Sequence, residues 1–344
     1  MASIGVGIVG YGYWGPNLAR NFAEVEAASV RAISDISTAR LEQAGRRYPT
    51  VRVTRDYRDL VRAPDVDVVV VATPAATHYE VALAALRAGK HVLIEKPMTT
   101  TAEQARRLLD EALRRQLVLM VDHTFVYTGA VQKIRQIIAE GQIGEIYYYD
   151  AVRVNLGLFQ RDVNVIWDLA VHDFSILDYL VSQQPMAVSA NGISHMRGNP
   201  ENMAYITLYF PGNTIAHVNV NWLAPVKVRR TLIGGSSKMI VFDDLEPSEK
   251  VKVYDKGVTL REDADRIQQL LTGYRAGDMW APQLAVGEAL LAEAEHFIGC
   301  VASGITPMTD GAAGLRVVEL LEAATGSLRL RGHPIEVGAL RRAS

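Results

Sequence analysis

The chain has 344 residues, 49% of them hydrophobic and 22% charged, too many for one ordinary core and too apolar for a disordered chain. Lys and Arg total 36 against 38 Asp and Glu, a net charge of −2, which points away from nucleic-acid and anionic-membrane partners. One cysteine, Cys300, excludes an internal disulfide framework and CxxC sites. The start of the chain lacks signal-peptide character and no apolar run would span a bilayer, so a soluble, cytoplasmic, two-domain protein is expected.

Strands are expected over 6–9, 30–34, 51–54, 66–72, 91–94 and 118–121, with helices over 16–24, 38–47, 77–88 and 101–115 between them. The strands read as continuous Val, Ile, Leu and Ala runs, the pattern of a parallel sheet covered on both faces. In 101–115, Ala105, Leu108, Leu109 and Ala112 share one face, and Thr101 is placed to cap the start. Repeated strand–helix units of this kind build an α/β doubly wound Rossmann sheet, here assigned to residues 1–122. From 123 to 344 the pattern is α+β. Helices are expected over 130–140, 168–181, 286–302 and 312–330, and strands over 146–154, 187–195, 204–210, 214–222, 228–233, 238–242 and 250–254. Short polar connectors such as Pro211-Gly212-Asn213 and Gly234-Gly235-Ser236-Ser237 predict a large, open, mixed or antiparallel sheet. Residues 255–282 read as polar and irregular, with no role assigned.

The first strand is followed by Gly10-Tyr11-Gly12-Tyr13-Trp14-Gly15, a G-x-G-x-x-G turn, and then by a helix with Pro16 in its first turn. Gly10 would permit the tight turn, Gly12 the approach of a pyrophosphate, and Gly15 close packing of helix on strand. The helix N-terminus would offer N–H groups to the phosphates. Asp35 lies twenty residues after Gly15, where a carboxylate accepts ribose hydroxyls and repels a 2′-phosphate. No cation follows it before Arg40, so NAD is expected rather than NADP. Asp35 as the cap of helix 38–47 is compatible with that role.

Glu95-Lys96-Pro97 directly follows the fifth strand, at the carboxyl edge where doubly wound sheets bind ligands. There Lys96 would lie over the cofactor, with Pro97 fixing the turn through a cis bond; a solvated charged loop is the alternative. Asp168 and His172 are four residues apart, on one helix face. A carboxylate beside imidazole raises its proton affinity and fixes its tautomer, whereas the plain alternative is a surface ion pair.

The glycine loop, Thr73-Pro74 with His78, Glu95-Lys96-Pro97, Asp168-Leu169-Ala170-Val171-His172 and the tail 315–329, in this order and spacing, resemble the Gfo/Idh/MocA family. Its members include glucose–fructose oxidoreductase and the inositol dehydrogenases. The resemblance implies an NAD-dependent enzyme that moves hydride between nicotinamide and a secondary hydroxyl or keto group of a sugar. It further implies a C-terminal sheet that mediates a homodimer or homotetramer. By position it makes Lys96, Asp168 and His172 the catalytic set. Thr73, His78, Glu95, Lys96 and Pro97 join the loop, including Tyr13 and Trp14, around the cofactor. Lys96, His123, Arg153, Asn155 and His172 meet the substrate, with a packed structural histidine as the alternative for His123. Many members carry glycine where this chain has Ala170, a change that a helix tolerates. Segments 121–131, 153–157 and 166–173 are similar to the branch acting on nucleotide-linked sugars, for which C3 is the expected position. Arg153, Arg161, Lys227, Arg229 and Arg230 are candidate diphosphate contacts. A free polyol or monosaccharide dehydrogenase and a non-catalytic dinucleotide-binding regulator are the alternatives. No residue spacing suggests a metal site. Trp222 and Trp280 are expected in the core, and Cys300 as a buried small hydrophobe.

Overall fold

The computed structural model describes residues 3–157, 163–261 and 271–338. Its first elements are β1 (Ile4–Val9), α1 (Gly15–Glu24), β2 (Ala28–Ser34), α2 (Thr38–Arg47), β3 (Arg52–Thr54), α3 (Tyr57–Arg62), β4 (Val68–Val71), α4 (Ala75–Arg87), β5 (His91–Glu95), α5 (Ala102–Arg115) and β6 (Leu119–Asp122). A 3-10 turn, Thr124–Tyr127, follows. The strands form a parallel sheet in the order β3-β2-β1-β4-β5-β6, the doubly wound order, with its switch point between β1 and β4. Every residue of β4 and β6 is buried, which is why these strands read as unbroken apolar runs. Helix α3 was not foreseen. It is six residues long, capped by Asp56, which accepts from Arg58 N at 2.9 Å, and too short to show a periodic stripe.

The later elements are α6 (Gly129–Ala139), β7 (Ile146–Leu156), a π-helical turn (Ile166–Ala170), α7 (Val171–Leu180), β8 (Ala187–Ile193), β9 (Met203–Tyr209), β10 (Ile215–Asn221), β11 (Leu223–Gly235), β12 (Met239–Asp243), β13 (Val251–Tyr254), β14 (Gly257–Arg261), β15 (Leu271–Arg275) and β16 (Met279–Trp280). The tail adds α8 (Ala289–Ser303), α9 (Gly311–Arg329) and β17 (Ile335–Glu336). Among the described residues nine strands form one sheet in the order β16-β13-β12-β11-β7-β10-β9-β8-β17. Its pairs are antiparallel except β7 with β10. Burial alternates along β9 and β10, so Ala204, Ile206, Leu208, Ala216, Val218 and Val220 line one face while Tyr205, Tyr209 and His217 are exposed on the other. The stretch left without a role holds the antiparallel pair β14–β15 and the short β16. No helix among the described residues is long and apolar enough to cross a membrane.

A cut between 122 and 123 does not describe the chain's compaction. The compact units are Met1–Thr128 with Gly287–Glu322, and Gly129–Val286 with Ala323–Ser344. The tail returns because the first unit has apolar surface left to cover. Phe297 of α8 meets Phe22 of α1 edge to face, 6.3 Å between centroids. Val121 N donates to Thr309 O at 2.8 Å, closing the free edge of β6.

Candidate active site

In the first unit the glycine loop leaves β1 at the switch point. Gly10 has φ +99°, and a Cβ there would lie 2.5 Å from Ala72 O, so the turn demands glycine. At Gly12 the nearest atom to a Cβ is the Arg40 guanidinium, 3.6 Å away; the backbone face is clear for a ligand. At Gly15 a Cβ would lie 2.3 Å from Gly10 O, the close helix approach that the motif predicts. Tyr13 and Trp14 are exposed, edge to face at 5.4 Å. Asp35 is nearly buried at the end of β2; Oδ2 accepts from Tyr11 N at 2.7 Å and Oδ1 from Ser37 N at 2.8 Å. The carboxylate is therefore tied to the glycine loop, and Ser37, not Asp35, stands at the N-cap position of α2. Arg40 Nη1 lies 3.5 Å from Asp35 Oδ2. One helical turn returns this cation to the loop, a placement the linear spacing did not convey. These features fit an adenine dinucleotide: an open glycine at the phosphate position, a helix start behind it and an acid at the ribose position.

Lys96 follows β5, next in the sheet to β4, and is half-buried, with a cis peptide to Pro97. Two neighbours expected to touch the cofactor face the interior instead. His78 is 1% exposed on the inner side of α4; its Nδ1 lies 2.9 Å from Pro97 O and its Nε2 2.7 Å from Thr73 O. It is a strut joining the two loops, and burial pushes its imidazole below the ordinary range although both carbonyls oppose that. Glu95 is buried opposite Asp122 in the β5–β6 register and accepts from Lys96 N at 3.1 Å. Burial, and then the charge of Asp122, hold its carboxyl well above the usual range. Glu293 of α8, fully buried, is raised for the same two reasons. Thr73 is half-buried beyond β4, its hydroxyl 2.8 Å from that of Thr77. His123 is buried just after β6.

In the second unit Asp168 lies in the π-helical turn and His172 in the first turn of α7, both half-buried. Single π turns are frequent at functional sites. Asn164 Oδ1 accepts from Ile166 N at 3.2 Å and Trp167 N at 3.3 Å, capping the turn. Asp168 Oδ2 accepts from Trp222 Nε1 at 3.0 Å.

Arg153 corrects an expectation. Its side chain is 5% exposed, and Nε and Nη2 donate to the two oxygens of Asp173 at 2.7 and 3.0 Å. On the inward side of β7 it meets α7, so it is structural rather than a substrate contact. Burial alone would lower its guanidinium, but Asp173 outweighs this and the net shift is upward. Asn155, two residues on, is half-buried. Arg229 pairs with Asp244 at 3.2 Å, Lys227 and Arg230 are exposed, and Arg161 lies outside the described residues. Trp222 and Cys300 are buried, as expected, whereas Trp280 is half-buried.

Two family models match, "Oxidoreductase family, NAD-binding Rossmann fold" over residues 4–123 and "GFO/IDH/MocA C-terminal domain" over 131–241. The chain belongs to the Gfo/Idh/MocA family. It is thus a nicotinamide-dependent oxidoreductase with an NAD-binding Rossmann domain. UDP-N-acetylglucosamine 3-dehydrogenase of Acidithiobacillus ferrooxidans is 28% identical over 92% of this chain and 95% of its own length. A solved structure of that enzyme covers 96% of this chain and 99% of its own with a TM-score of 0.81 at 27% identity. The NADP(+)-dependent scyllo-inositol 2-dehydrogenase IolW of Bacillus subtilis is 26% identical over 94% of each chain.

Proposed function

We propose that this family member transfers hydride between nicotinamide and a secondary hydroxyl or keto group of a sugar, acting at C3 of a nucleotide-linked sugar. The observation that carries the reading is Lys96 at the end of β5, on the same sheet edge as the glycine loop and Asp35. Bound NAD supplies a two-electron hydride acceptor. Gly12 and Gly15 admit its pyrophosphate to the start of α1, and Asp35, still carrying lone pairs, accepts from its ribose. As an ammonium, Lys96 steadies negative charge on the reacting oxygen. His172, steadied by Asp168, takes the hydroxyl proton in oxidation and returns it in reduction. The nucleotide-linked substrate rests on similarity to the UDP-N-acetylglucosamine 3-dehydrogenase along nearly the whole chain. The inositol dehydrogenase relative favours a free polyol as the second reading.

The exposed sheet face is proposed to join copies of the chain into a dimer or tetramer. Tyr209, Ile215 and Tyr148 lie in one cross-strand row, with both tyrosines exposed. Apolar rows of this kind mark interfaces.

The test is NADH formation with UDP-sugars and with inositols, using the native chain and Lys96→Ala. The expected result is turnover on a UDP-sugar that falls roughly 10²–10⁴-fold in the variant while NADH still binds. Turnover confined to inositol selects the second reading, and near-normal turnover in the variant removes Lys96 from the reaction.

A further inference from the structure

Trp222 joins β10 to β11 and is among the largest fully buried side chains. Its seat is set on both sides by backbone. Trp222 N donates to Asn202 O at 2.9 Å, and its carbonyl accepts from Gly157 N at 3.0 Å. A Cβ on Gly157 would lie 2.7 Å from the indole Cδ1, so glycine is the residue that lets the ring lie there. Cδ1 adjoins Nε1, the atom that donates to Asp168 Oδ2 at 3.0 Å. An ordinary core tryptophan needs some acceptor for its N–H. This one has the carboxylate four residues before His172, in a turn that departs from α-helical geometry.

We propose that Trp222 is a positioning residue for Asp168: the indole N–H fixes the carboxylate rotamer, so that Asp168 meets the His172 imidazole without first reorienting. The proposal rests on the acid/base reading of Asp168 and His172 above. A rigid ring is a good clamp, because the hydrogen bond adds no further loss of side-chain freedom. A neutral donor to a charged acceptor is also among the stronger hydrogen bonds in a protein.

Trp222→Phe keeps an aromatic ring and removes the donor; β-(3-benzothienyl)alanine at position 222 keeps the bicyclic shape and also removes it. Both are expected to lower kcat by about 10- to 100-fold and to leave KM and NADH affinity within about threefold. In an Asp168→Asn background the same changes should cost less than about twofold, since the recipient of the positioning is gone. An equal loss in both backgrounds would show a packing role and overturn the proposal. The indole N–H resonance of Trp222, assigned by its disappearance in Trp222→Phe, should move upfield in Asp168→Asn; an unmoved resonance overturns the proposal whatever the activity. A resonance that moves in a chain with no sugar turnover upholds the contact and overturns the acid/base reading on which the positioning depends.

Discussion

Replacing Arg153 with methionine is expected to destabilise the second unit by about 3–5 kcal/mol, the usual consequence of leaving one member of a buried ion pair without its partner. The pair is bidentate, with both side chains at most 5% exposed, and Tyr149 is fully buried beside it. Solvent therefore offers little relief to the Asp173 carboxylate once the guanidinium is gone. At roughly 2–4 °C per kcal/mol for a unit of this size, the loss corresponds to a Tm lowered by about 6–20 °C. The double variant Arg153→Met, Asp173→Leu removes both charges and is expected to regain most of the loss, since apolar side chains of similar volume often replace buried pairs at little cost. Thermal unfolding of the native chain, the two single variants and the double variant forms a complete cycle. A single-variant loss below about 1 kcal/mol, or a double variant no better than the singles, would refute the argument. It would also reopen Arg153 as a substrate contact.

The glycine loop offers a contrast between two one-methyl changes. Gly12→Ala meets no atom of the chain closer than 3.6 Å; it should unfold like the native protein yet lose at least about tenfold in NADH affinity, read by calorimetry. Gly15→Ala places its methyl 2.3 Å from Gly10 O and should destabilise by about 1–3 kcal/mol in urea; equal stability of the two variants would contradict the assignment. For Glu293, burial and then Asp122 raise the folded-state carboxyl well above the usual range. The folded chain accordingly keeps a proton that the unfolded chain, titrating near about 4.3, has released, and this contribution to stability declines as pH rises above that value. Glu293→Gln removes the titration, so its Tm should fall less than the native one between about pH 5 and pH 8; parallel curves would show that Glu293 is ionised in the fold.

The first unit was legible because its signals are local. Buried parallel strands are apolar without alternation, and the G-x-G-x-x-G loop carries its own geometry. Thr101 caps α5 as its sequence suggests, its hydroxyl accepting from Gln104 N at 3.2 Å. What escaped depends on contacts distant in sequence or on backbone detail. The apolar side of α8 shows that the helix is covered but not that α1 covers it, so the return of the tail was missed. The π turn was missed because four residues are close to one turn with or without an inserted residue. Strand β11 begins at Leu223, earlier than expected, because its register is interrupted between Leu223 and Val228 and Pro225, lacking an N–H, reads as loop.

Two charges in apolar registers carried the same signal and came to opposite ends. Arg153 occupies an inward position of β7 after Tyr149 and Ala151, and Glu293 falls on the apolar stripe of α8 with Leu290, Ala294, Phe297 and Ile298. In each case the period says that a charged residue is buried, a state too costly to leave uncompensated. The remedy lies elsewhere in the chain. Arg153 meets Asp173 from α7 and stays ionised. Glu293 faces Asp122 and, next, Glu95, which are acids themselves, so with burial they raise its carboxyl and favour a bound proton over a counter-ion. A charge in an apolar register therefore predicts that compensation exists, while its form is decided by the sign of whatever the fold brings opposite. That is why Arg153 reads as a ligand contact until α7 is seen, and why no sequence motif marks the acids behind Lys96.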